Sequence, residues 1–171
     1  LLRSIDDQRL AYQNHKISMG DYVSALWRSL KERKRDSFPN VQLFVKALSS
    51  ERALDFKEVE RERLKLVDVL AQRLPPQALD QLVQSSLSYR SGRLNFGEYQ
   101  SELLTLCRKS NVRLESFGSL KNYISYVLLS ERIDPNGLIQ EIDDLEREVL
   151  FSLANTGAQR DLVMVRRDLA L

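Results

Sequence analysis

The fold is decided by a stretch that occurs twice: LAYQNHKISMGDYVSAL at residues 10–26 and LSYRSGRLNFGEYQSEL at residues 87–103. The copies lie 77 positions apart, and both keep two tyrosines, a glycine and the flanking leucines in the same places. These are the positions that set a turn and a core. Because self-similarity at a fixed spacing is the signature of a repeated structural unit, we predict a tandem duplication of one helical unit.

The correspondence continues further along the chain at a spacing of 79, as a short loop insertion would produce. Phe38 and Phe44 of an apolar stripe match Phe117 and Tyr123. The last helix of each copy matches as well, with Arg63 of the first copy standing where the second copy has Ile142. A charged residue on an otherwise apolar helix face predicts that the helix interface of the first repeat is more hydrated, which we call a polar seam.

Start and stop signals divide each copy into four helices. Ser18 with Asp21, and Asn95 with Glu98, have the spacing of a capping box at a helix N-terminus, and Pro75 with Pro76 ends a long charged helix. We therefore predict an all-α fold of two tandem four-helix units, as a helical repeat or bundle with long amphipathic, coiled-coil-like helices. The predicted boundaries are 1–77, 78–157 and a C-terminal helix over 158–171 that begins a further unit or the rest of a longer chain.

Composition narrows the class of protein. The chain has 171 residues, of which 43% are hydrophobic and 29% charged, with a formal net charge of +2. That balance is typical of solvated helices around a core, and the charge is too small to indicate nucleic-acid binding by itself. No apolar run approaches the roughly 18 residues of a membrane span. Cys107 is the single cysteine, so a reducing, cytoplasmic location is expected.

One segment resembles a metal site. Residues 91–99 resemble the exit half of an EF-hand calcium loop, with Gly92, Leu94 and Glu98 in place. The residues that would supply the entering carboxylates are Leu87, Tyr89 and Ser91, and a hard divalent cation needs several oxygen ligands. The predicted structure is a helix-turn-helix joint with Gly92 as a left-handed cap, and no metal is expected.

The other reactive side chains favour structural roles. His15 stands where the second copy has Gly92, which predicts a solvated turn residue. Cys107 replaces Leu30 and is predicted in the core. The acidic residues from Glu141 to Glu148 fit a solvated helix face. The recurring tyrosines could line a ligand groove, but their spacing is more typical of core. No catalytic residue and no cofactor is predicted, and an enzyme would need acids or tyrosines that converge only in the fold.

Two segments are candidates for interaction with a partner. The basic cluster near residue 33 could contact phosphates, and the last predicted helix has an apolar face that needs a partner or a second copy. The candidate residues are Lys31, Arg33, Lys34, Arg35, Leu162, Val165 and Leu169. The function predicted is a non-enzymatic protein-protein interaction or scaffolding module. Because the chain starts at Leu1, we expect it to be a fragment of a larger protein. The alternative is a nucleic-acid-binding domain that uses residues 31–35.

Overall fold

A computed structural model describes residues 2–154, and this part of the chain is all-helical. The predicted all-α class is thereby confirmed. The α-helices are α1 (Leu2–Gln13), α2 (Met19–Ser29), α3 (Pro39–Arg52), α4 (Phe56–Arg73), α5 (Pro76–Arg90), α6 (Phe96–Lys109), α7 (Gly118–Ser130) and α8 (Pro135–Leu153). Two 3-10 helices, Glu32–Ser37 and Leu114–Ser116, precede α3 and α7. Among these described helices none is both long and apolar enough to cross a membrane.

The predicted joints form by capping. The Ser18 hydroxyl accepts from the Asp21 amide at 3.1 Å, and Asn95 forms a full capping box with Glu98. The turn before each cap passes through the left-handed region, at His15 with φ 55° and at Gly92 with φ 71°. The exposed turn position predicted for His15 is confirmed. Gly92 is the residue that adopts this conformation without steric cost.

The helices pack into two compact units. Within the described residues, unit 1 comprises residues 2–48 and 133–154, and unit 2 comprises residues 49–132. Unit 1 therefore contains α1, α2, most of α3 and α8, while unit 2 contains α4 to α7. The predicted boundaries of 1–77 and 78–157 group the helices differently. The grouping differs because α4 packs chiefly against α7, and α8 packs against α2 and α1.

Each unit has its own hydrophobic core. The larger buried side chains of unit 1 come from all four of its α-helices and from Leu30, the C-cap of α2: Ile5, Tyr22, Val23, Leu26, Trp27, Leu30, Val41, Leu145 and Val149. Those of unit 2 come from all four of its α-helices: Leu66, Leu70, Leu82, Leu103, Leu106, Cys107, Leu120 and Ile124. The predicted core position of Cys107 is confirmed, since only 2% of its surface is exposed. Burial raises the pKa of its thiol, which disfavours the reactive thiolate.

In each unit a carboxylate on the long fourth helix of one copy (α8 or α4) binds the N-terminus of a third helix (α3 or α7). In unit 1, Glu141 accepts from the Val41 amide at 2.9 Å and from the Asn40 side chain at 2.8 Å. In unit 2, Glu62 accepts from the Leu120 amide at 2.9 Å. An anion beside the first turn of a helix satisfies an amide that has no partner within the helix. The spacing of the acidic residues had predicted a solvated helix face. Glu141 departs from that prediction, because its carboxylate contacts α3.

A glycine allows close approach between α2 and α3 in unit 1, and between α6 and the C-terminal end of α7 in unit 2. A Cβ added to Gly20 would lie 3.1 Å from the Leu48 side chain, and one added to Gly97 would lie 3.2 Å from Glu131. Contacts at that distance are tighter than ordinary van der Waals packing. The glycines thus let α2 and α6 begin directly against their neighbours.

Candidate binding cleft

An open cleft of about 510 Å³ lies in unit 2, between α4 and α5. These two helices form its exposed walls, because each packs chiefly on another partner, α4 on α7 and α5 on α6. Helices α6 and α7 provide the buried floor. The lining residues are Phe56, Val59, Glu60, Arg63, Leu64, Leu66, Val67, Ser86, Tyr89, Arg90, Tyr99, Gln100, Leu103, Leu120 and Tyr123. Hereafter this is called the unit 2 cleft.

Helical periodicity places the α4 wall. Phe56, Glu60, Arg63, Leu64 and Val67 recur at intervals of three and four residues, so they share one side of the helix. This side carries both apolar and charged groups. Phe56 is 54% exposed and Leu64 is 55% exposed at the cleft. The wall therefore presents apolar surface to solvent that unit 2 itself does not cover.

Aromatic rings line the interior of the cleft. Tyr89 and Tyr99 stack with their ring centroids 4.9 Å apart and their planes 6° apart. Phe56 meets Tyr123 edge to face at 6.3 Å. Burial, and then the neighbouring tyrosines Tyr123 and Tyr99, raise the pKa of Tyr89. The Tyr89 phenol therefore stays protonated at neutral pH and acts as a neutral hydrogen-bonding group.

An ion pair lies on the α4 wall. The Arg63 guanidinium donates from Nε to the Glu60 carboxylate at 2.8 Å and from a terminal nitrogen to its other oxygen. This hydrogen bonding lowers the pKa of Glu60 and raises that of Arg63. The positive charge of Arg90, on the facing wall, also lowers the pKa of Glu60. Two guanidinium groups and one carboxylate leave the mouth of the cleft with a net positive charge.

A buried amide lies at the floor. Gln100 is only 4% exposed, and within the described residues its side-chain oxygen has no hydrogen-bond partner. Buried acceptors are nearly always paired, because leaving one unmet forfeits its hydration without compensation. Gln100 therefore supplies an acceptor at the cleft that the protein itself does not satisfy.

The corresponding positions of unit 1 carry different side chains. At spacings of 77 and 79, Ser86 matches Arg9 and Val67 matches Glu146. Arg9 Nε and Glu146 Oε1 are 3.1 Å apart, so an ion pair bridges α1 and α8. These two helices also pack against each other. The cleft thus occurs where unit 2 has a serine and a valine in place of this bridge.

Tyr22 lies beneath the bridge in unit 1. It stacks on Tyr12 with a centroid distance of 5.1 Å and an interplanar angle of 7°, as Tyr99 stacks on Tyr89. Tyr22 is 2% exposed, and its hydroxyl has no partner of normal hydrogen-bond geometry in the described part of the chain. Burial, and then the nearby Glu146 carboxylate, raise its pKa far above the ordinary range. This tyrosine is core, as predicted.

The predicted basic cluster belongs to unit 1, where two of its four cations, Lys34 and Arg35, contact other side chains. Helix α2 ends at Ser29, so the cations occupy the 3-10 helix and its N-cap rather than the end of α2. Lys34 pairs with Glu148, and the Arg35 guanidinium lies 5.2 Å from the centre of the Trp27 ring. Lys31 and Arg33 are exposed. The other candidate residues, Leu162, Val165 and Leu169, lie outside the described residues.

The cleft residues were not singled out as a site from the sequence. Tyr89 was predicted in the core, but 36% of it is exposed at the cleft. The predicted polar seam around Arg63 lies in unit 2, because α4 packs there. Two departures between the copies signal the site: Arg63 for Ile142 and Gln100 for Val23. Both put a polar group on an apolar helix face.

The cleft offers apolar surface, aromatic faces, guanidinium groups and an unmet acceptor, which together suit the binding of an amphipathic ligand. Among the described residues no group of histidine, cysteine, aspartate and glutamate could hold a metal ion. No protein-family model, no curated protein and no solved structure matches this chain.

Proposed function

We propose that this chain is a non-enzymatic helical protein-interaction module, and that the unit 2 cleft receives the apolar face of an amphipathic helix from a partner protein. The observation that carries the proposal is the open cleft between α4 and α5, at the place where unit 1 has the Arg9 and Glu146 bridge. A groove between two helices is a common receptor for a third.

The length of the groove supports a helix as the occupant. The lining residues of α4 extend from Phe56 to Val67, which at 1.5 Å per residue is about 16 Å. That length accommodates about three turns of a bound helix, with anchors one turn apart. Exposed Phe56 and Leu64 extend the apolar contact to the rim.

The charges at the mouth indicate the polar side of the partner. Arg63 and Arg90 outnumber Glu60 there, so an acidic side chain next to the apolar stripe would be attracted. Such rim charges influence the rate and specificity of association more than its strength. We therefore expect partner helices with aspartate or glutamate beside their anchors.

The duplicated frame forms the second part of the proposal. We propose that the chain is a tandem duplication whose two copies exchange their fourth helices, so that α8 completes unit 1 and α4 completes unit 2. The matched contacts Glu141 to Val41 and Glu62 to Leu120 support it, since each joins a fourth helix to the third helix of the other copy. The stacked tyrosine pairs support it as well.

A selection experiment tests the cleft. A displayed library of amphipathic helical peptides is selected on the full chain, with a closed variant, Ser86→Arg together with Val67→Glu, as the counter-target. This variant introduces the unit 1 bridge into unit 2. We expect peptides that bind the native chain and lose at least tenfold in affinity on the closed variant. Enriched peptides that bind both proteins equally would refute the cleft as the binding surface.

Two controls accompany the selection. Arg9→Ser with Glu146→Val changes the bridge in unit 1 and should leave peptide affinity unchanged. A chain that ends at residue 157 tests the predicted C-terminal helix, with Leu162, Val165 and Leu169, as an internal occupant. Peptide affinity that rises on this truncation would assign the cleft to the chain's own segment and not to a partner.

The basic cluster supports the alternative, nucleic-acid binding, less well. Lys34 pairs with Glu148, and Arg35 stacks on Trp27, so these two cations already have partners within unit 1. Lys31 and Arg33 remain exposed. Binding to DNA or RNA that weakens with salt and with charge reversal of Lys31 and Arg33 would favour this alternative.

A further inference from the structure

We propose that the unit 2 cleft selects partner helices through one anchoring side chain that is both aromatic and a hydrogen-bond donor, a tryptophan or a tyrosine, which donates to the side-chain oxygen of Gln100. This inference rests on the proposed function of the cleft and specifies the chemistry of its ligand.

The acceptor is the first argument. The oxygen of Gln100 is buried at the floor of the cleft without a partner in the described residues. A ligand that brings only apolar groups would leave this oxygen unmet. A ligand that brings an N–H or O–H restores the hydrogen bond, and sites built around a polar group discriminate strongly against analogues that lack its partner.

The surrounding rings are the second argument. The floor acceptor is sequence neighbour to Tyr99, which stacks on Tyr89, and Tyr123 lies on the adjacent helix. Aromatic rings favour offset and edge contacts with other rings. An aliphatic donor such as a serine or threonine would satisfy the oxygen but would leave these faces uncovered. Indole and phenol side chains satisfy both, and they recur as anchors at interfaces.

The comparison with unit 1 shows that the fold does not require the amide. The position of Gln100 is occupied in unit 1 by Val23, which is fully buried in the core. The frame therefore accommodates an apolar side chain at this place. A glutamine that the frame does not need, at the floor of an open cleft, points to a role in recognition.

The test uses indole, which has an N–H donor, and indene, which has nearly the same shape without one. Binding of each to the full chain is measured by titration of nuclear magnetic resonance chemical shifts. We expect indole to bind about tenfold more tightly than indene, as one hydrogen bond of ordinary strength predicts. Gln100→Leu should remove this preference, and Gln100→Val provides a second variant with the side chain that unit 1 tolerates.

Each outcome decides a separate point. Equal binding of indole and indene to the native chain, or a preference that persists in both Gln100 variants, would overturn the inference. Selected peptides whose anchors are all aliphatic would also overturn it, while the cleft would stand as a helix receptor. Conversely, the loss of indole preference in the Gln100 variants without any selected peptide would support the anchor chemistry and remove the proposed function.

Discussion

Units 1 and 2 share a frame but differ at one groove. Both have a stacked tyrosine pair and a third helix whose N-terminus receives a carboxylate. In unit 1 the groove between the first and fourth helices is bridged by Arg9 and Glu146, whereas unit 2 has Ser86 and Val67 at those places. A few side chains on a shared frame thus separate a bridged groove from an open one.

From this difference we expect a cleft to cost little stability. The Arg9 and Glu146 side chains are 31% and 20% exposed, and ion pairs near the surface contribute up to about 1 kcal/mol. The core residues and the capping carboxylates provide the larger contributions to folding. A frame stabilised in this way can lose the bridge and expose its groove without losing the fold.

The largest effect is expected from truncating the matched core leucines, Leu145 in unit 1 and Leu66 in unit 2, both fully buried. Leu145→Ala should lower the free energy of unfolding by about 3 to 5 kcal/mol, because it leaves a cavity in a closed core. Leu66→Ala should cost less, about 2 to 3 kcal/mol, because Leu66 borders the cleft and water can enter the space. Urea unfolding measures both, and a larger loss for Leu66→Ala would contradict the contrast between the bridged and the open groove.

The next largest effect concerns the capping carboxylates. Glu141→Ala should reduce the free energy of unfolding by about 1 to 3 kcal/mol, since a partly buried helix amide loses its charged acceptor. Glu62→Ala should have a comparable effect in unit 2. Asp143→Ala, at an exposed position of α8, is the matched control and should change stability by less than about 0.5 kcal/mol. If the three variants were equally stable, the carboxylates would not tie the helices together.

The sequence predicted the helices and their joints well, because capping residues and proline act locally. Ser18 and Asn95 cap α2 and α6 as their chemistry indicates, and α4 ends at Arg73, just before Pro75 and Pro76. It did not predict which fourth helix joins which unit, because α4 and α8 have similar apolar faces and either would fit a matching frame. That choice depends on contacts between distant parts of the chain, such as Glu62 with Leu120.

The cleft was beyond prediction for a related reason. Tyr89 and Tyr12 occupy matching positions with the same helical spacing, so periodicity gives both the same interpretation. Their surroundings differ because the helix opposite carries Val67 in one unit and Glu146 in the other. Of the two signals in the sequence, Arg63 in place of Ile142 was recognised as a polar seam, but its unit could be assigned only with the packing of α4 known.

A smaller effect is expected from alkaline titration. Burial raises the pKa of Tyr22 in the folded chain, so the fold favours the neutral phenol. This contribution is complete below about pH 10, the ordinary value for tyrosine, and is lost as the pH rises through the folded pKa. The free energy of unfolding should therefore fall above about pH 10, by up to about 1.4 kcal/mol per pH unit for this group.

Replacing the tyrosines singly assigns this pH dependence to one unit. Tyr22→Phe should flatten the alkaline decline, which unfolding curves at successive pH values measure. Tyr89→Phe should flatten it less, because the shift at Tyr89 arises in the open cleft, where solvent reaches the ring. An equal change in the two variants would show that the tyrosines experience the same environment and would weaken the contrast between the units.

The smallest effect on stability, and the sharpest test of the comparison, comes from exchanging the bridge. Ser86→Arg with Val67→Glu should raise the free energy of unfolding by no more than about 1 kcal/mol, and Arg9→Ser with Glu146→Val should lower it by a similar amount. A double-mutant cycle isolates the coupling between the two introduced side chains. Peptide binding, in contrast, should be lost in the first double variant and retained in the second. A large change in binding with a small change in stability would show that the groove is separable from the frame, whereas a collapse of stability would make the open groove part of the frame itself.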